Sequence, residues 1–502
     1  MGEPFYITTA ISYPNGKPHI GHAYEAIAAD VIARFRRSQG RDVRFQTGTD
    51  EHGLKMAQTA RAEGVEPRAF ADKMSRLFQE MCDILNVSYD RFIRTSQPDH
   101  YRASQAIWTA MEERGDLYLG RYEGWYSVRD EAYYEPEELT EPEDGTKLSP
   151  QGTPVQWTVE ESWFFRLSNY QQPLLDLYVS NPDFIQPESR RNEVVRFVEG
   201  GLKDLSISRT SFDWGVPAPA SDNHVMYVWL DALTNYITGL GYPDKTELWE
   251  RYWPADIHLI GKDVVRFHAV YWPAFLMSAG IELPKMVYGH GFLLSRGEKM
   301  SKSVGNVVDP LSLAETFGVD QLRYFLMREV TFGQDGSYSA EAIVNRVNAE
   351  LANSFGNLAQ RSLSMIFKNL DGVLPPPGEA AEDKELLERV AAACSELDQR
   401  FGEYAFSAGL EAWMGAVFAC NAYIDAQAPW TLRKTDPERM AAVLGTLVAA
   451  VRRLAEAVVP VIPDSAEKLL AVIASGDGGQ PIAQPQPLFP RLELSEDAEA
   501  AA

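Results

Sequence analysis

Two short clusters in this chain have the composition of phosphate-handling sites. His19-Ile20-Gly21-His22 follows a short apolar run and opens a helical pattern. A helix start offers free N–H groups and positive partial charge to phosphates, two imidazoles on one face add donors, and Gly21 lets a flat base approach the backbone. Taken alone, two surface histidines would explain the cluster equally well. The second cluster, Lys299-Met300-Ser301-Lys302-Ser303, lies about 280 residues downstream in a segment expected to be a loop. Two lysines and two serines there can neutralise and hydrogen-bond a triphosphate while it loses pyrophosphate. A solvated charge run is the plainer account of the second cluster. Both clusters together, in this order and at the two ends of one interrupted α/β pattern, point to nucleotide chemistry.

The elements that must position these residues follow from periodicity. Phe5 to Ala10 predicts a short buried strand, and Ile27, Val31, Ile32 and Phe35 recur at helical spacing between His22 and Gln39, with Gly40 at the stop. Asp42 to Thr49 predicts the next strand, and Leu77, Phe78, Met81 and Leu85 the stripe of another helix with Cys82 beside it in the core. The pattern degrades between about Arg121 and Ser221, where Trp, Tyr, Gly and Pro are frequent and Asp130 to Asp144 carries eight acids without a Lys or Arg. This predicts an inserted β-rich module. Tyr227-Val-Trp-Leu, Ile257-His-Leu-Ile-Gly and Met286-Val-Tyr-Gly are each strand-like, so the α/β domain is expected to resume after the insertion. From about Glu341 the chain turns helical: Leu386, Leu387, Val390, Cys394, Leu397 and Phe401 step at three and four, as do Met440, Val443, Leu444 and Leu447. The expected domains are 1–118 and 225–340 as two halves of a Rossmann-type α/β domain, 119–224 as the insertion, 341–475 as a helix bundle, and 476–502 as a tail rich in Gly, Pro and Gln.

Composition narrows the function classes. The 502 residues carry 47 Lys+Arg and 71 Asp+Glu, a net charge of −24. That balance excludes a general nucleic-acid coat, because non-specific binding needs many cationic contacts to phosphate. Any nucleic acid must meet local patches. Cys82, Cys394 and Cys420 lie too far apart for a disulfide framework or a CxxC half-site, which suits a reducing compartment, and a cytoplasmic location is expected. The opening residues lack the basic-then-apolar run of a signal peptide, and the longest apolar run, Met440 to Val451, is short of the ~20 residues that span a bilayer.

With both clusters in view the chain resembles the class I aminoacyl-tRNA synthetases, and within them the methionine-specific family. The resemblance runs from the first strand through the bundle, and its most specific segments are Ala10-Ile-Ser-Tyr-Pro-Asn-Gly, Gly48-Thr-Asp-Glu-His-Gly, Tyr227-Val-Trp-Leu-Asp-Ala, Ile260-Gly-Lys-Asp, Trp272-Pro-Ala and Asn357-Leu-Ala-Gln-Arg. It implies attack of the L-methionine carboxylate on the ATP α-phosphate, then transfer of the acyl group to the 3′ end of initiator and elongator methionine tRNA. No protein nucleophile is needed, and catalysis would come from positioning and charge stabilisation. By motif position His19 and His22 would contact phosphates, Gly21 would underlie adenine, and Lys299, Met300, Ser301, Lys302 and Ser303 would follow the leaving pyrophosphate with Mg²⁺. Gly261 and Asp263 would form the adenosine site; a helix N-cap at Asp263 is the structural alternative.

The resemblance also assigns the methionine site. Asp50, at a strand end, would accept the ammonium, and Ala10, Ile11, Tyr13, Trp229, Ala232, Leu233, Tyr236, Val264, His268 and Trp272 would enclose the thioether. Leu233 stands where some relatives carry proline. In many relatives the insertion carries CxxC zinc knuckles; here the matching segments are Ser127-Val-Arg-Asp130 and Ser149-Pro-Gln-Gly152, which cannot supply four N/S ligands. A zinc-free module held by Trp125, Tyr126, Tyr133 and Tyr134 is expected. The insertion is also too short for a large editing domain, so homocysteine would be rejected at the synthetic site. In the bundle, Asn357 and Arg361, four apart on one helical face, and Trp430 after Pro429 at a helix break match the family's anticodon-binding residues. A monomer without membrane association is expected. Three other protein classes share parts of this pattern. A small-molecule nucleotidylyltransferase would need neither the lysine cluster nor the bundle, and a non-catalytic tRNA-binding protein would be expected to have lost a signature. The remaining rival, a neighbouring synthetase of the leucine, isoleucine, valine and cysteine group, differs in its pocket.

Overall fold

The computed structural model describes residues 2–130, 132–142, 145–219, 221–295, 298–299 and 308–494. They form an α/β architecture with a parallel sheet and a C-terminal all-helical region. The chain divides into two compact units: Met1–Pro18, Gln39–Asp83 and Val87–His290 in the first, and His19–Ser38, Ile84–Asn86 and Gly291–Ala502 in the second.

The first unit is built on a six-stranded sheet in the order Arg91–Arg94, Asp42–Thr49, Pro4–Thr9, Ile257–Gly261, Val287–His290, Ile185–Gln186. All pairings are parallel, with Ile7 opposite both Phe45 and Ile257. Phe5 to Thr9 are all buried, the unbroken run of a parallel strand covered on both faces. Strand order reverses between Pro4–Thr9 and Ile257–Gly261, so the switch point of this sheet lies at their carboxyl ends.

A second, antiparallel sheet in this unit runs Ala132–Tyr134, Leu117–Ser127, Gln156–Phe165, Leu205–Ser206. Its aromatic packing includes Trp125 edge-on to Trp157 at 5.4 Å and Tyr126 against Tyr133 at 4.7 Å. The segment expected to be β-rich also contains the helices Gln171–Ser180 and Glu188–Glu199, and Ile185–Gln186 leaves it to join the edge of the parallel sheet. One expected strand is instead a helix. Tyr227 caps the helix Val228–Thr238, in which every residue but Trp229 is buried. A run buried on all sides carries no period that separates strand from helix. Its polar members bond back along the helix: Thr234 Oγ1 donates to Leu230 O at 2.8 Å and Asn235 Nδ2 to Ala232 O at 2.7 Å.

The second unit contains the helix Ile20–Ser38, whose Ile27, Val31, Ile32 and Phe35 are buried as their spacing requires. Gly40 follows its end at φ 78°, the left-handed stop expected there. Arg323, fully buried on the helix Val319–Glu329, donates to Asp30 at 2.6 Å and to the carbonyls of Leu85, Pro460 and Val461 at 2.9–3.1 Å. Its charge is thus matched by a carboxylate and its remaining donors by backbone.

The helices Ala381–Gly402, Phe406–Gln427 and Pro437–Val458 form the core of the bundle. Leu386, Val390, Cys394, Leu397 and Phe401 of the first, and Met440, Val443, Leu444 and Leu447 of the third, are buried. Gly445 is required there, since an added Cβ would stand 2.0 Å from Pro376 O. The described part of the tail is loop, but Ile482 and Phe489 are buried and Asn348 exchanges two hydrogen bonds with Leu492.

Candidate functional site

The switch point of the first unit gathers most of the residues expected to meet methionine and adenosine. Ala10 N donates to Leu259 O, Ser12 N to Gly48 O and Asp50 N to Ser12 O, at 2.9–3.0 Å, so the loop after the first strand is laced to its neighbours. Asp50, 8% exposed, sits where Asp42–Thr49 ends. Gly261 closes the adjoining strand and Asp263 lies in the 3₁₀ turn Lys262–Val264, with Gly261 rather than Asp263 in the capping position. A Cβ at Gly261 would lie 2.7 Å from Asp263 Oδ1, so glycine lets that carboxylate fold back over the strand end.

Leu233, Tyr236 and Trp272 belong to one buried apolar cluster against which Ala10, Trp229 and Val264 pack. Ala232 is buried in the same helix, and Ile11 is half-buried beside Ala10 in the chain. Trp229 stacks on Phe267 at 3.7 Å. Tyr13 packs elsewhere, with Met56 and Trp214, and its hydroxyl accepts Met56 N–H at 3.2 Å.

The polar edges of this cluster are hydrogen-bonded in series. His268 donates Nδ1–H to Val264 O at 2.9 Å, so its Nε2 accepts the Tyr236 hydroxyl at 2.6 Å. Burial lowers the His268 pKa to about 4, and the ring is neutral near pH 7. Behind it, His258 Nε2 accepts Trp272 Nε1–H at 3.3 Å and Nδ1 bonds Thr8 Oγ1 at 2.7 Å, while Tyr236 stacks on its ring at 4.0 Å. Burial, then nearby His268, holds its pKa well below the usual value. The wall is therefore aromatic and uncharged.

Sequence reasoning missed a third layer. Asp231, fully buried, accepts from His52 Nδ1 and His100 Nε2, both at 2.6 Å. Burial opposes its ionisation, but the charge and hydrogen bonds of the two imidazoles prevail and lower its pKa. His52 and Asp231 both fall inside segments singled out from the sequence, but nothing local pairs them. Arg209 was also missed: it is buried with its guanidinium 4.7 Å from the rings of Tyr133 and Tyr227.

In the second unit His19 and His22 meet at the start of their helix, ring centroids 3.8 Å apart. His19 Nδ1 accepts Gly21 N–H at 3.1 Å and His22 Nδ1 accepts His19 N–H at 3.0 Å, so each neutral ring carries its proton on Nε2. A Cβ at Gly21 would fall 2.9 Å from the His19 ring. Lys299, expected in a loop, has its backbone in the two-residue strand Glu298–Lys299, paired with Leu294. Met300, Ser301, Lys302 and Ser303 lie outside the described residues.

The knuckle positions of the insertion bond to one another. Asp130 accepts from Ser149 Oγ at 2.7 Å, from Tyr134 OH at 3.1 Å and from Thr153 Oγ1, and its N–H donates to Ser127 Oγ at 3.1 Å. Among the described residues no group of three or more His, Cys, Asp or Glu could hold a metal ion.

In the bundle, Asn357 and Arg361 occupy the first turns of the helix Asn357–Asn369, which continues a π-helical stretch, Val347–Gly356. Arg361 binds Asp425 at 2.9 Å and its guanidinium lies 5.3 Å from the Trp430 ring. Ala428, at φ 44°, breaks the chain before the helix Pro429–Thr435, with Pro429 buried and Trp430 44% exposed. An arginine and an indole are thereby presented together, one turn from Asn357.

A parallel sheet with these residues at its switch point, in a chain whose other unit opens a helix on His19-Ile20-Gly21-His22, defines a class I aminoacyl-tRNA synthetase. The family model of tRNA synthetases class I (M) matches residues 5–363, and that of the anticodon binding domain of methionyl tRNA ligase matches 374–489. With 60% identity over 510 residues to the methionine–tRNA ligase of Brucella suis, covering 99% of each chain, this chain belongs to the methionine–tRNA ligase family. It is 55% identical to the Mycobacterium tuberculosis ligase over 517 residues, again 99% of each. The solved structure of the Mycobacterium tuberculosis methionyl-tRNA synthetase in complex with methionyl-adenylate superposes with a TM-score of 0.94, covering 97% of this chain and 100% of that one. Among the described residues no helix is long and apolar enough to cross a membrane.

Proposed function

We propose that this chain is a methionine–tRNA ligase: it activates L-methionine with ATP to methionyl-adenylate and transfers the acyl group to the 3′ end of initiator and elongator methionine tRNA. The observation that carries the choice of amino acid is the neutral aromatic wall of Tyr236, His268 and Trp272. A thioether is apolar, polarisable and only a weak acceptor, so it suits rings with uncharged polar edges. Asp50 takes the ammonium, and Ala10, Ile11, Trp229, Ala232, Leu233 and Val264 complete the enclosure. Gly261 and Asp263 take the adenosine, with the Asp263 carboxylate accepting from a ribose hydroxyl.

His19 and His22 bond the phosphates through Nε2–H, which the acceptor role of each Nδ1 supports, and Gly21 underlies adenine. Lys299, Met300, Ser301, Lys302 and Ser303 follow the pyrophosphate. Mg²⁺ supplies charge neutralisation on the triphosphate. Asn357, Arg361, Pro429 and Trp430 read the anticodon. The insertion works without zinc, its knuckle positions tied instead through Asp130, and the protein acts as a cytoplasmic monomer.

The test is amino-acid-dependent ATP–pyrophosphate exchange across all twenty amino acids. Exchange with methionine and negligible exchange with leucine, isoleucine, valine or cysteine is the expected result. Stronger exchange with any of those four overturns the assignment.

A further inference from the structure

We infer that Asp231 is a positioning residue for methionine: its carboxylate, bracketed by the imidazoles of His52 and His100, locks the helix that carries Trp229, Ala232, Leu233 and Tyr236 to the strand end that carries Asp50. The inference rests on the methionine roles proposed above.

Three stretches converge on this carboxylate. His52 follows Asp50 by two residues, Asp231 lies between Trp229 and Ala232, and His100 comes from the helix Pro98–Glu113. Both imidazole contacts are 2.6 Å, and the side chains of all three residues are at most 1% exposed. The outer nitrogens are held as well: His52 Nε2 by the Tyr101 hydroxyl at 2.9 Å and His100 Nδ1 by Thr238 Oγ1 at 3.0 Å. Trp214 stands edge-on to His52 at 5.3 Å and donates Nε1–H to Glu51 O at 2.6 Å, so the turn after Asp50 is clamped from a second side.

A buried carboxylate is costly unless its acceptors are filled, and a filled polar network admits one arrangement of its members. Here that arrangement sets the first turn of the helix Val228–Thr238, and with it Trp229, against Asp50. The close approach of Asp263 to Gly261, which shapes the adenosine end, involves neither Asp231 nor its two imidazoles. Methionine capture should therefore depend on the hub and ATP capture should not.

Pyrophosphate exchange on the full-length enzyme tests this. D231A is expected to raise the KM for methionine about tenfold or more and to leave the KM for ATP within about twofold, since small misplacements of binding groups carry large penalties. D231N should recover methionine KM to within about threefold of the parent, because the hydrogen-bond accounting still closes. Its Oδ1 accepts from His52, its amide donates to His100 Nε2, and His100 Nδ1–H donates to Thr238, whose hydroxyl already reaches Thr234 O at 3.0 Å.

An unchanged methionine KM in D231A overturns the proposal. So does a parallel rise for methionine and ATP, which would mean general loosening, or D231N as impaired as D231A, which would assign the effect to charge rather than geometry. If D231A does not fold, Y101F replaces it: it removes only the hydroxyl on His52, and a methionine KM raised about twofold to fivefold at unchanged ATP KM supports the hub, whereas no change overturns it. D50N run alongside separates the two readings. An unaltered methionine KM there refutes the ammonium role of Asp50; a raised one with an unaltered D231A refutes the hub alone.

Discussion

Trp430→Ala separates recognition of the anticodon from the chemistry of activation. The indole is 44% exposed and carries the Arg361 guanidinium 5.3 Å from its centre, while Arg361 is tied to Asp425. A nucleobase stacked on an aromatic side chain is worth ~1–3 kcal/mol, and at about 1.4 kcal/mol per tenfold its loss lowers aminoacylation efficiency about 5- to 150-fold. The cost to folding should be modest. Truncating a fully buried tryptophan such as Trp413 removes about 3–5 kcal/mol, whereas nearly half of Trp430 already faces water. The assay is a pair of rates on one preparation: methionine-dependent pyrophosphate exchange, which needs no tRNA, and aminoacylation kcat/KM with methionine tRNA, alongside a thermal midpoint. Exchange should stay near parental while aminoacylation falls. If both rates fell with the midpoint, Trp430 would be a packing residue. If neither fell, the anticodon would be read elsewhere, and Asn357 and Arg361 would lose their assignment with it.

Two further outcomes follow from buried polar groups. His268 titrates at about 4 when folded and near 6.5 when unfolded, so between those values the unfolded chain binds a proton that the native state refuses. Stability should fall as pH drops from 6.5 to 4, by an amount on the order of 3 kcal/mol for this residue, and chemical denaturation of His268→Gln across that range should show a shallower slope; an unchanged slope would contradict a neutral His268. In the insertion, Asp130→Ala strips the acceptor from Ser149, Thr153 and Tyr134 and should cost about 1.5–3 kcal/mol, seen as faster proteolysis of residues 117–165. Chelator should leave the parent protein unaffected, and one zinc per chain in elemental analysis would refute the zinc-free reading.

Much of the fold was legible because local period and burial agree. Asp42–Thr49 matches its expected limits, and the apolar steps of Ile20–Ser38, Ala381–Gly402 and Pro437–Val458 face their cores, save Leu387, which is half-buried at the margin of its stripe. Val228–Thr238 was not legible as a helix because burial on all sides erases the stripe that marks one. Ile185–Gln186 is too short for any periodic signal, and only its pairing with Val287 and Tyr288 makes it a strand. At the site, His19 and His22 stood out by their spacing at a helix start, whereas Asn357 and Arg361, four apart on one helical face, were singled out only by the resemblance to the family's anticodon-binding residues. Asp231 lies 179 residues from His52 and 131 from His100, so their meeting is a property of the folded sheet and helices. The same holds for Arg361 on Trp430: each was named, but the stacking of one on the other depends on how two helices meet.

The buried Arg323 has a consequence for how the chain is made. Its donors reach Asp30 near the beginning of the sequence and the carbonyls of Pro460 and Val461 near the end. A chain leaving the ribosome at about 5–20 residues per second exposes Val461 roughly 20–85 s after Ser38. Through that interval Asp30 keeps Arg34, one turn on at 2.8 Å, as a counter-charge, but the Arg323 that also meets it lacks its Pro460 and Val461 acceptors, and Phe35 waits for Phe401, against which its ring packs edge-on at 5.6 Å. The helix that begins with His19 and His22 is thus among the first segments synthesised and among the last to be locked. Nascent chains stalled anywhere before Pro460 would carry the phosphate motif on an unsecured helix, exposed to chaperones and proteases until Pro460 and Val461 emerge.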